Sequence, residues 1–293
     1  MRRLLVTGAR GLCGRAIAHA ARQTGEWEVI TTSRTAAGPG HIVHDLAEPL
    51  SIGGDAFPAE VDAIVHAAAV VDQAQPGFDV VAANTRAAFH VAGYAAASNC
   101  RQLVHLSSVS VYGAPRLGNT ITEASAARPD SPYGLSKLLA EVALEHWGPR
   151  LDSLAHLRLG YVAGDGMSES TLVRRLARAR AAGGPITLIN PSRTRIQFLD
   201  ADDLATVCLK ALDASLSGVM LVAGAAQLSV EEIWREIEQM IPGHNEVDRR
   251  DDPAVAYDTR YKASVPASLG TGPALDFRIT LRKAVDDLTS AAG

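Results

Sequence analysis

Two groups of residues in this sequence have the types and spacing to move a proton. Tyr133 and Lys137 stand four apart in Pro132-Tyr133-Gly134-Leu135-Ser136-Lys137, so on a helix they share one face. A phenol titrates near pH ~10; an ammonium beside it favours the phenolate and makes Tyr133 usable as an acid or base near neutral pH. Upstream, Ser107-Ser108-Val109-Ser110-Val111-Tyr112-Gly113 follows the apolar run Gln102-Leu103-Val104-His105-Leu106. This order places hydroxyls just past the carboxyl end of a strand, where open α/β sheets hold their ligands.

The elements that must position these groups begin at Leu4 to Gly14, a short apolar run that breaks into Gly8, Gly11 and Gly14. It reads as strand, turn, helix. Gly8 allows a tight exit from the strand, Gly11 a close backbone approach to a pyrophosphate, and Gly14 close packing of helix on sheet, with the helix N-terminus facing the phosphates. A helix over 15–24 and a strand over 28–33 follow. The strand ends in Thr31, Thr32, Ser33 and Arg34, at the place where an acidic residue would bind the ribose 2′-hydroxyl of NAD. A hydroxyl and a guanidinium there suit a 2′-phosphate, which Arg10 in the glycine turn is also placed to reach. NADP(H) is therefore the expected cofactor, with NAD(H) the alternative.

A third strand is expected over 41–46, ending at Asp45-Leu46, and a buried fourth over 61–69, whose small Ala67, Ala68 and Ala69 leave room for a cofactor. Continuous apolar runs of this kind mark parallel strands buried on both faces. The alanine-rich stretch 84–98 reads as a helix and 102–108 as a fifth strand. Strand and helix alternate throughout, which predicts a doubly wound parallel sheet. In the second half, 154–159 reads as a strand and 171–182 as a helix whose Arg174, Arg175, Arg178 and Arg180 read as a solvated face, with a diphosphate contact the alternative. Asp202 or Asp203 is the expected N-cap of a further helix, 219–224 a late strand, and Ser229 with Glu232 a capping box. Surface loops are expected at 36–40, 183–185 and 269–273.

The chain has 293 residues, 47% hydrophobic and 20% charged, enough for one large α/β domain and a smaller one. Its formal net charge of -4 offers no general basic field, so nucleic acid is not an expected partner. The apolar run after Met1-Arg2-Arg3 is too short for a signal peptide and no run approaches a membrane span, which predicts a cytoplasmic protein. Cys13, Cys100 and Cys208 have neither disulfide-framework nor zinc spacing, and none of the nine histidines has metal spacing. No metal is expected, and the histidines are read as polar or packing residues.

With these residues assembled, the sequence resembles the extended short-chain dehydrogenase/reductase family, in particular its branch of nucleotide-sugar epimerases, dehydratases and reductases. The resemblance rests on Thr7-Gly-x-x-Gly-x-x-Gly14, Asp45-Leu46, His66-Ala-Ala-Ala69, Asn84, Ser-Ser-x-x-Val-Tyr-Gly113, Tyr133-x-x-x-Lys137 and Asp202-Asp203-Leu204-Ala205. It implies a Rossmann-type fold, with a cofactor domain over 1–160 plus 196–223 and a smaller, mostly C-terminal substrate domain over 161–195 plus 224–293. It implies that Ser108 hydrogen-bonds the reacting oxygen, Tyr133 exchanges its proton, and Lys137 holds the nicotinamide ribose and lowers the tyrosine pKa. Thr7, Gly8, Arg10, Gly11, Leu12, Gly14, Ser33, Arg34, Asp45, Leu46, Ala67, Ala68, Ala69 and Asn84 are the implied cofactor contacts.

Arg195 and, in a degraded C-terminal motif, Arg249 or Arg250 are the implied contacts to a substrate diphosphate. A homodimer through the helices at 84–98 and 132–147 is implied as well. Dehydratases of the family carry Asp-Glu directly after the catalytic hydroxyl residue; Val109-Ser110 stands here, leaving dehydration without an acid and base. The expected function is reduction of a keto carbon on a sugar nucleotide or related small carbonyl compound. An epimerase with retained NAD(P) is the alternative, and a non-catalytic dinucleotide sensor on the same fold a further one.

Overall fold

The structure is a computed structural model and describes residues 1–35, 38–52, 57–71, 76–113, 120–147, 150–225, 227–252, 260–262 and 277–290. The loop expected at 269–273 and part of that at 36–40 lie outside them. The first half runs β1 (Arg2–Thr7), α1 (Leu12–Thr24), β2 (Trp27–Ser33), β3 (His41–Val43), β4 (Ala63–His66), α2 (Gly77–Ala97) and β5 (Gln102–Ser108). After a 3-10 turn at Val109–Tyr112 come β6 (Thr120–Ile121), α3 (Pro132–Trp147), β7 (Ser153–Leu159) and β8 (Tyr161–Ala163). The remainder is α4 (Leu172–Ala182), β9 (Gly184–Ile189), β10 (Arg195–Asp200), α5 (Ala201–Asp213), β11 (Gly218–Val222), β12 (Gln227–Ser229), α6 (Val230–Met240), β13 (Asn245–Arg250), β14 (Arg260–Tyr261) and α7 (Phe277–Ser290).

Seven strands form one parallel sheet in the order β11-β7-β5-β4-β1-β2-β3. Residues 63–66 are buried without interruption and residues 103–108 likewise, as a sheet covered on both faces requires. On one face, Leu4, Val6, Val65, Val104 and Leu157 pack with Ile17 of α1 and Leu204 and Cys208 of α5. On the other, Leu5, Ile64 and Leu103 pack with Val91 of α2 and Leu144 of α3. A third core around the fully buried Trp234 joins α4, α6 and α7. Among the described residues, no helix is long and apolar enough to cross a membrane.

The elements depart from the sequence reading in several places; β3 ends at Val43 and α2 begins already at Gly77. β4 stops at His66, because Ala67 and Ala68 leave the ladder to pass over the glycine turn: a Cβ on Gly8, whose φ is +67°, would lie 2.6 Å from the Ala68 Cα. The N-cap of α5 is Asp200, whose carboxylate accepts from the Asp202 N–H at 2.8 Å, so Asp202 and Asp203 lie in the first turn. Gly184 and Pro185 belong to β9, which pairs in parallel with β13, and are not a surface loop. β10 does not return to the large sheet but joins β8 in parallel and β12 in antiparallel; only α5 and β11 of the 196–223 segment rejoin the first layer. The Ser229–Glu232 capping box is present, with the Glu232 N–H donating to Ser229 Oγ at 3.1 Å and the Ser229 N–H to the Glu232 carboxylate at 2.7 Å.

Candidate active site

A cleft of about 590 Å³ opens beside the glycine turn. Gly8, Arg10, Gly11, Ser33, Arg34, Asp45, Leu46, Ala67, Ala68, Ala69 and Asn84 all line it. Gly11 caps α1 in an extended conformation, with no side-chain capping bond and no acidic residue in the first turn. The first-turn N–H groups are thereby left for an anion. Backbone-lined walls and a helix N-terminus without a side-chain cap fit the pyrophosphate of a dinucleotide.

Thr7 and Gly14 support this cradle without lining it. Thr7 Oγ1 lies 2.9 Å from His66 Nδ1 and accepts the Ala68 N–H at 3.2 Å, while a Cβ on Gly14 would meet the Gly8 carbonyl oxygen at 2.4 Å. Leu12 packs against the third core. Ser33 Oγ donates to the Thr35 carbonyl at 2.8 Å, and Asp45 accepts from the Ala47 N–H at 3.0 Å. The Asn84 amide accepts from the Val70 N–H at 2.7 Å and donates to Ser136 Oγ at 2.9 Å, tying the cleft wall to α3.

Ser108 ends β5 and, through its Oγ, accepts the Ser110 N–H at 3.1 Å. Gly134 brings α3 to this turn, since a Cβ there would stand 2.3 Å from the Ser110 carbonyl oxygen. Tyr133 thereby comes within hydrogen-bonding reach of Ser108. Burial pushes the Tyr133 phenol up to about 12, the Cys13 thiol adds to the rise and Ser108 opposes it. The phenol is thus held protonated, ready as an acid.

Lys137 shares the helix face with Tyr133, yet its Nζ bonds His105 Nε2 at 3.0 Å and it is not among the groups acting on the phenol. The expected lowering of the tyrosine pKa by the bare lysine is therefore not built into the protein alone, because the ammonium is turned to the sheet. Burial lowers Lys137 itself to about 8, against the pull of Glu141.

The sequence reading did not anticipate what surrounds that ammonium. His66, His105 and His156 stand side by side on β4, β5 and β7 and are all buried. Burial holds His66 at about 3 and His156 at about 4, so both are neutral. The available signal was positional: each histidine stands within an apolar strand, His66 at the end of β4 and His105 and His156 in the middle of β5 and β7. Below them Arg158 bonds Glu141 through Nε at 3.0 Å and Nη2 at 2.6 Å, Ser107 Oγ donates to the same carboxylate, and the guanidinium lies 4.9 Å from the Tyr112 ring centre.

A second cavity, about 790 Å³, lies between Ser108 and the second half of the chain. Its walls include Tyr161, Ile186, Leu188, Gln197 and Tyr261, with Arg175 and Arg195 the cations. Arg195 is 3.7 Å from Glu232. Arg249 and Arg250 do not line this cavity: Arg249 forms a two-pronged pair with Glu231 at 2.9 and 3.0 Å, and Arg250 pairs with Asp248. The arginines of α4 divide differently from a solvated face. Arg174 and Arg180 are buried, bonded to the Ala284 and Ile241 carbonyls, whereas Arg175 is exposed in the cavity. Among the described residues no cluster could hold a metal ion.

Residues 4–224 match the family described as NAD dependent epimerase/dehydratase family. The chain belongs to that family, the extended branch of the short-chain dehydrogenases/reductases, and is an NAD(P)-dependent enzyme of the nucleotide-sugar epimerase, dehydratase and reductase type. It is 28% identical to a dTDP-6-deoxy-L-talose 4-dehydrogenase (NAD(P)(+)) of Kitasatospora kifunensis, over 99% of this chain and 95% of that one. It is 29% identical to a protein of Haloferax volcanii named as a probable low-salt glycan biosynthesis reductase, over 81% and 80% of the two chains. A 28% match to the uncharacterized protein y4nG of Sinorhizobium fredii covers 60% of this chain but only 43% of that relative's length. In fold it resembles the UDP-glucuronic acid 4-epimerase of Bacillus cereus in complex with NAD, at a TM-score of 0.82 and 19% identity over 98% and 96% of the chains.

The buried lysine makes stability depend on pH in a defined direction. Its folded value of about 8 lies below the ordinary 10.5, so between the two the unfolded chain binds more protons and stability rises with pH. Relative to Lys137→Met, the unmodified protein should gain stability as pH rises from 8 to 10.5, with no relative change below that window. Urea unfolding of both proteins across it measures the difference; a flat difference would contradict the burial of a titrating ammonium.

Proposed function

We propose that the protein is an NADP-dependent ketoreductase acting on a sugar nucleotide, and that Ser108, Tyr133 and Lys137 are its catalytic residues. The observation that carries the cofactor assignment is the placement of Arg10, in the glycine turn, and Arg34, directly after β2, on the wall of the dinucleotide cleft, where β2 ends in Thr31, Thr32 and Ser33 with no acidic residue. The glycine turn and the N-terminus of α1 would hold the pyrophosphate, and Asp45, Leu46 and Ala67 to Ala69 would enclose the adenosine side. When bound, the nicotinamide supplies the hydride.

Ser108 at the cavity wall polarises the substrate oxygen, and the protonated phenol of Tyr133 delivers a proton to it. Lys137 orients the ribose. The apolar cavity with Arg175 and Arg195 among its walls suits a nucleoside diphosphate, with the sugar toward Ser108. The dehydrogenase and reductase names of the two relatives that span most of the chain support a net redox reaction. A homodimer through α2 and α3 is supported by the exposed stripe of Leu135, Leu139 and Val142 on α3 and by Phe78 and Phe89 on α2. Such a stripe, one apolar residue per turn, is how a helix meets a partner.

Four measurements test these readings. With a keto-sugar nucleotide, NADPH should be consumed one-for-one with alcohol formed, and Tyr133→Phe should reduce turnover by about a hundredfold or more with cofactor binding retained. Stereoisomers interconverting without net NADPH loss would make the protein an epimerase instead. Arg34→Ala should weaken NADPH about tenfold to a hundredfold and spare NADH, as loss of a charge-assisted bond of about 1.5–3 kcal/mol requires. Equal affinities of the unmodified protein for the two cofactors would refute the preference. Light scattering should give twice the chain mass of 30.8 kDa, and Val142→Glu should halve it; a monomer at micromolar concentration would remove the dimer.

A further inference from the structure

Lys137 is 2% exposed and lies at the inner end of a file of polar groups that reaches the surface. Its Nζ is 3.0 Å from His105 Nε2, and His105 Nδ1 is 3.1 Å from His156 Nδ1. His156 Nε2 is buried without a hydrogen-bond partner, and the carboxylate of Glu145, 59% exposed, is 3.8 Å from it. The file is made by sheet register. His105 and His156 are direct partners on β5 and β7, so their side chains leave the sheet on one face, the face that α3 covers with Lys137, Glu141 and Glu145.

Hydrogen-bond chemistry gives the file one polarity. An ammonium only donates, so His105 Nε2 accepts; a neutral imidazole then carries its proton on Nδ1. His105 Nδ1–H donates to His156 Nδ1, which leaves the His156 proton on Nε2, facing Glu145. Every donor points outward. His66, the third histidine of the row, is outside this file: its Nδ1 contacts Thr7 Oγ1, and its ring stacks on His105 at 5.6 Å.

We propose that His105 and His156 are a proton path connecting the amine of Lys137 with solvent at Glu145. In the outward direction Lys137 Nζ gives a proton to His105 Nε2, His105 Nδ1 passes its own to His156 Nδ1, and His156 Nε2 releases its proton to the Glu145 carboxylate. Lys137 ends as the amine and Glu145 as the carboxylic acid. Both histidines are neutral before and after, with their tautomers exchanged. The reverse sequence recharges the lysine.

The charged and titratable groups around the file are Glu141 and Arg158, paired with each other, and Cys13 and His66. Burial and the charge of Lys137 hold His105 well below its ordinary value, which disfavours a resting imidazolium and suits a through-going transfer. The inference rests on Lys137 belonging to the catalytic site. It gives an otherwise sealed amine, one helical turn from Tyr133, a way to exchange protons with water between turnovers. His105 and His156 would act through Lys137 and touch no substrate.

The test uses the protein without substrate. Nitrogen-15 spectra of labelled histidine should place the resting proton on Nδ1 of His105 and on Nε2 of His156; a His105 Nε2–H tautomer would overturn the proposal. Hydrogen exchange of the labelled Lys137 ammonium, read at a pH below its value of about 8, should slow at least about tenfold in His156→Asn, because exchange would then wait for local opening of the fold. Asn keeps an acceptor near the Nδ1 position, but its amide cannot take up a proton at one atom and release another onward as an imidazole does. His105→Gln, which keeps an acceptor for the lysine, should slow it likewise at an unchanged Lys137 chemical shift. Unaltered exchange in both variants would refute the path even if Tyr133 and Lys137 prove essential for turnover. Slowed exchange in a protein that fails to reduce keto sugars would leave the path standing and refute the ketoreductase reading.

Discussion

Keeping the Lys137 ammonium inside the protein is the constraint on which much of this structure depends. A charge withdrawn from water costs several kcal/mol unless neighbouring groups replace its hydration. Here His105 accepts its proton at 3.0 Å and the Glu141 carboxylate supplies opposing charge from the next turn of α3. Glu141 is in turn held by Arg158 of β7 and Ser107 of β5. One set of polar contacts therefore pins α3 across the ends of two strands, which sets the distance between Ser108 at the end of β5 and Tyr133 at the start of the helix. The apolar packing of Leu5, Ile64, Leu103 and Leu144 on the same face offsets the cost.

Two further close approaches complete the site. The turn at Gly8 lies against the backbone of Ala68, and the N-terminus of α3 lies against Ser110 at Gly134; neither approach leaves space for a side chain. The first shapes the cleft that fits a dinucleotide. The second brings the phenol to the Ser108 hydroxyl. Ser108, lining the larger cavity, stands between this sheet edge and the smaller second unit, so a substrate held by Arg175 and Arg195 would present its reacting carbon there.

The two units are joined by more than the chain. α5 packs on the face of the sheet that carries α1, while β10, directly before it, is bonded to β8 and β12. Lys283 of α7 bonds Asp202 at 2.7 Å and Thr280 bonds the capping Asp200, also at 2.7 Å. The cap that starts α5 thus also anchors the last helix. This explains why the segment expected to return whole to the cofactor domain is shared between the layers.

The sequence alone determined what depends on local pattern. Continuous apolar runs separated by helical stretches specify a parallel sheet, three glycines at three-residue spacing specify the phosphate turn, and Tyr133 and Lys137 share a face because a helix turns every ~3.6 residues. Ser229 with Glu232 specifies a helix start for the same local reason. What only the tertiary structure decided depends on pairing between distant segments. His105 and His156 meet because β5 and β7 are neighbours in one register, Lys137 turns to the sheet because an acceptor awaits it there, and Arg174 and Arg180 are buried because α7, β13 and the loop before it supply carbonyls and an amide. Strand order and register join residues about fifty positions apart, and no short-range periodicity encodes them.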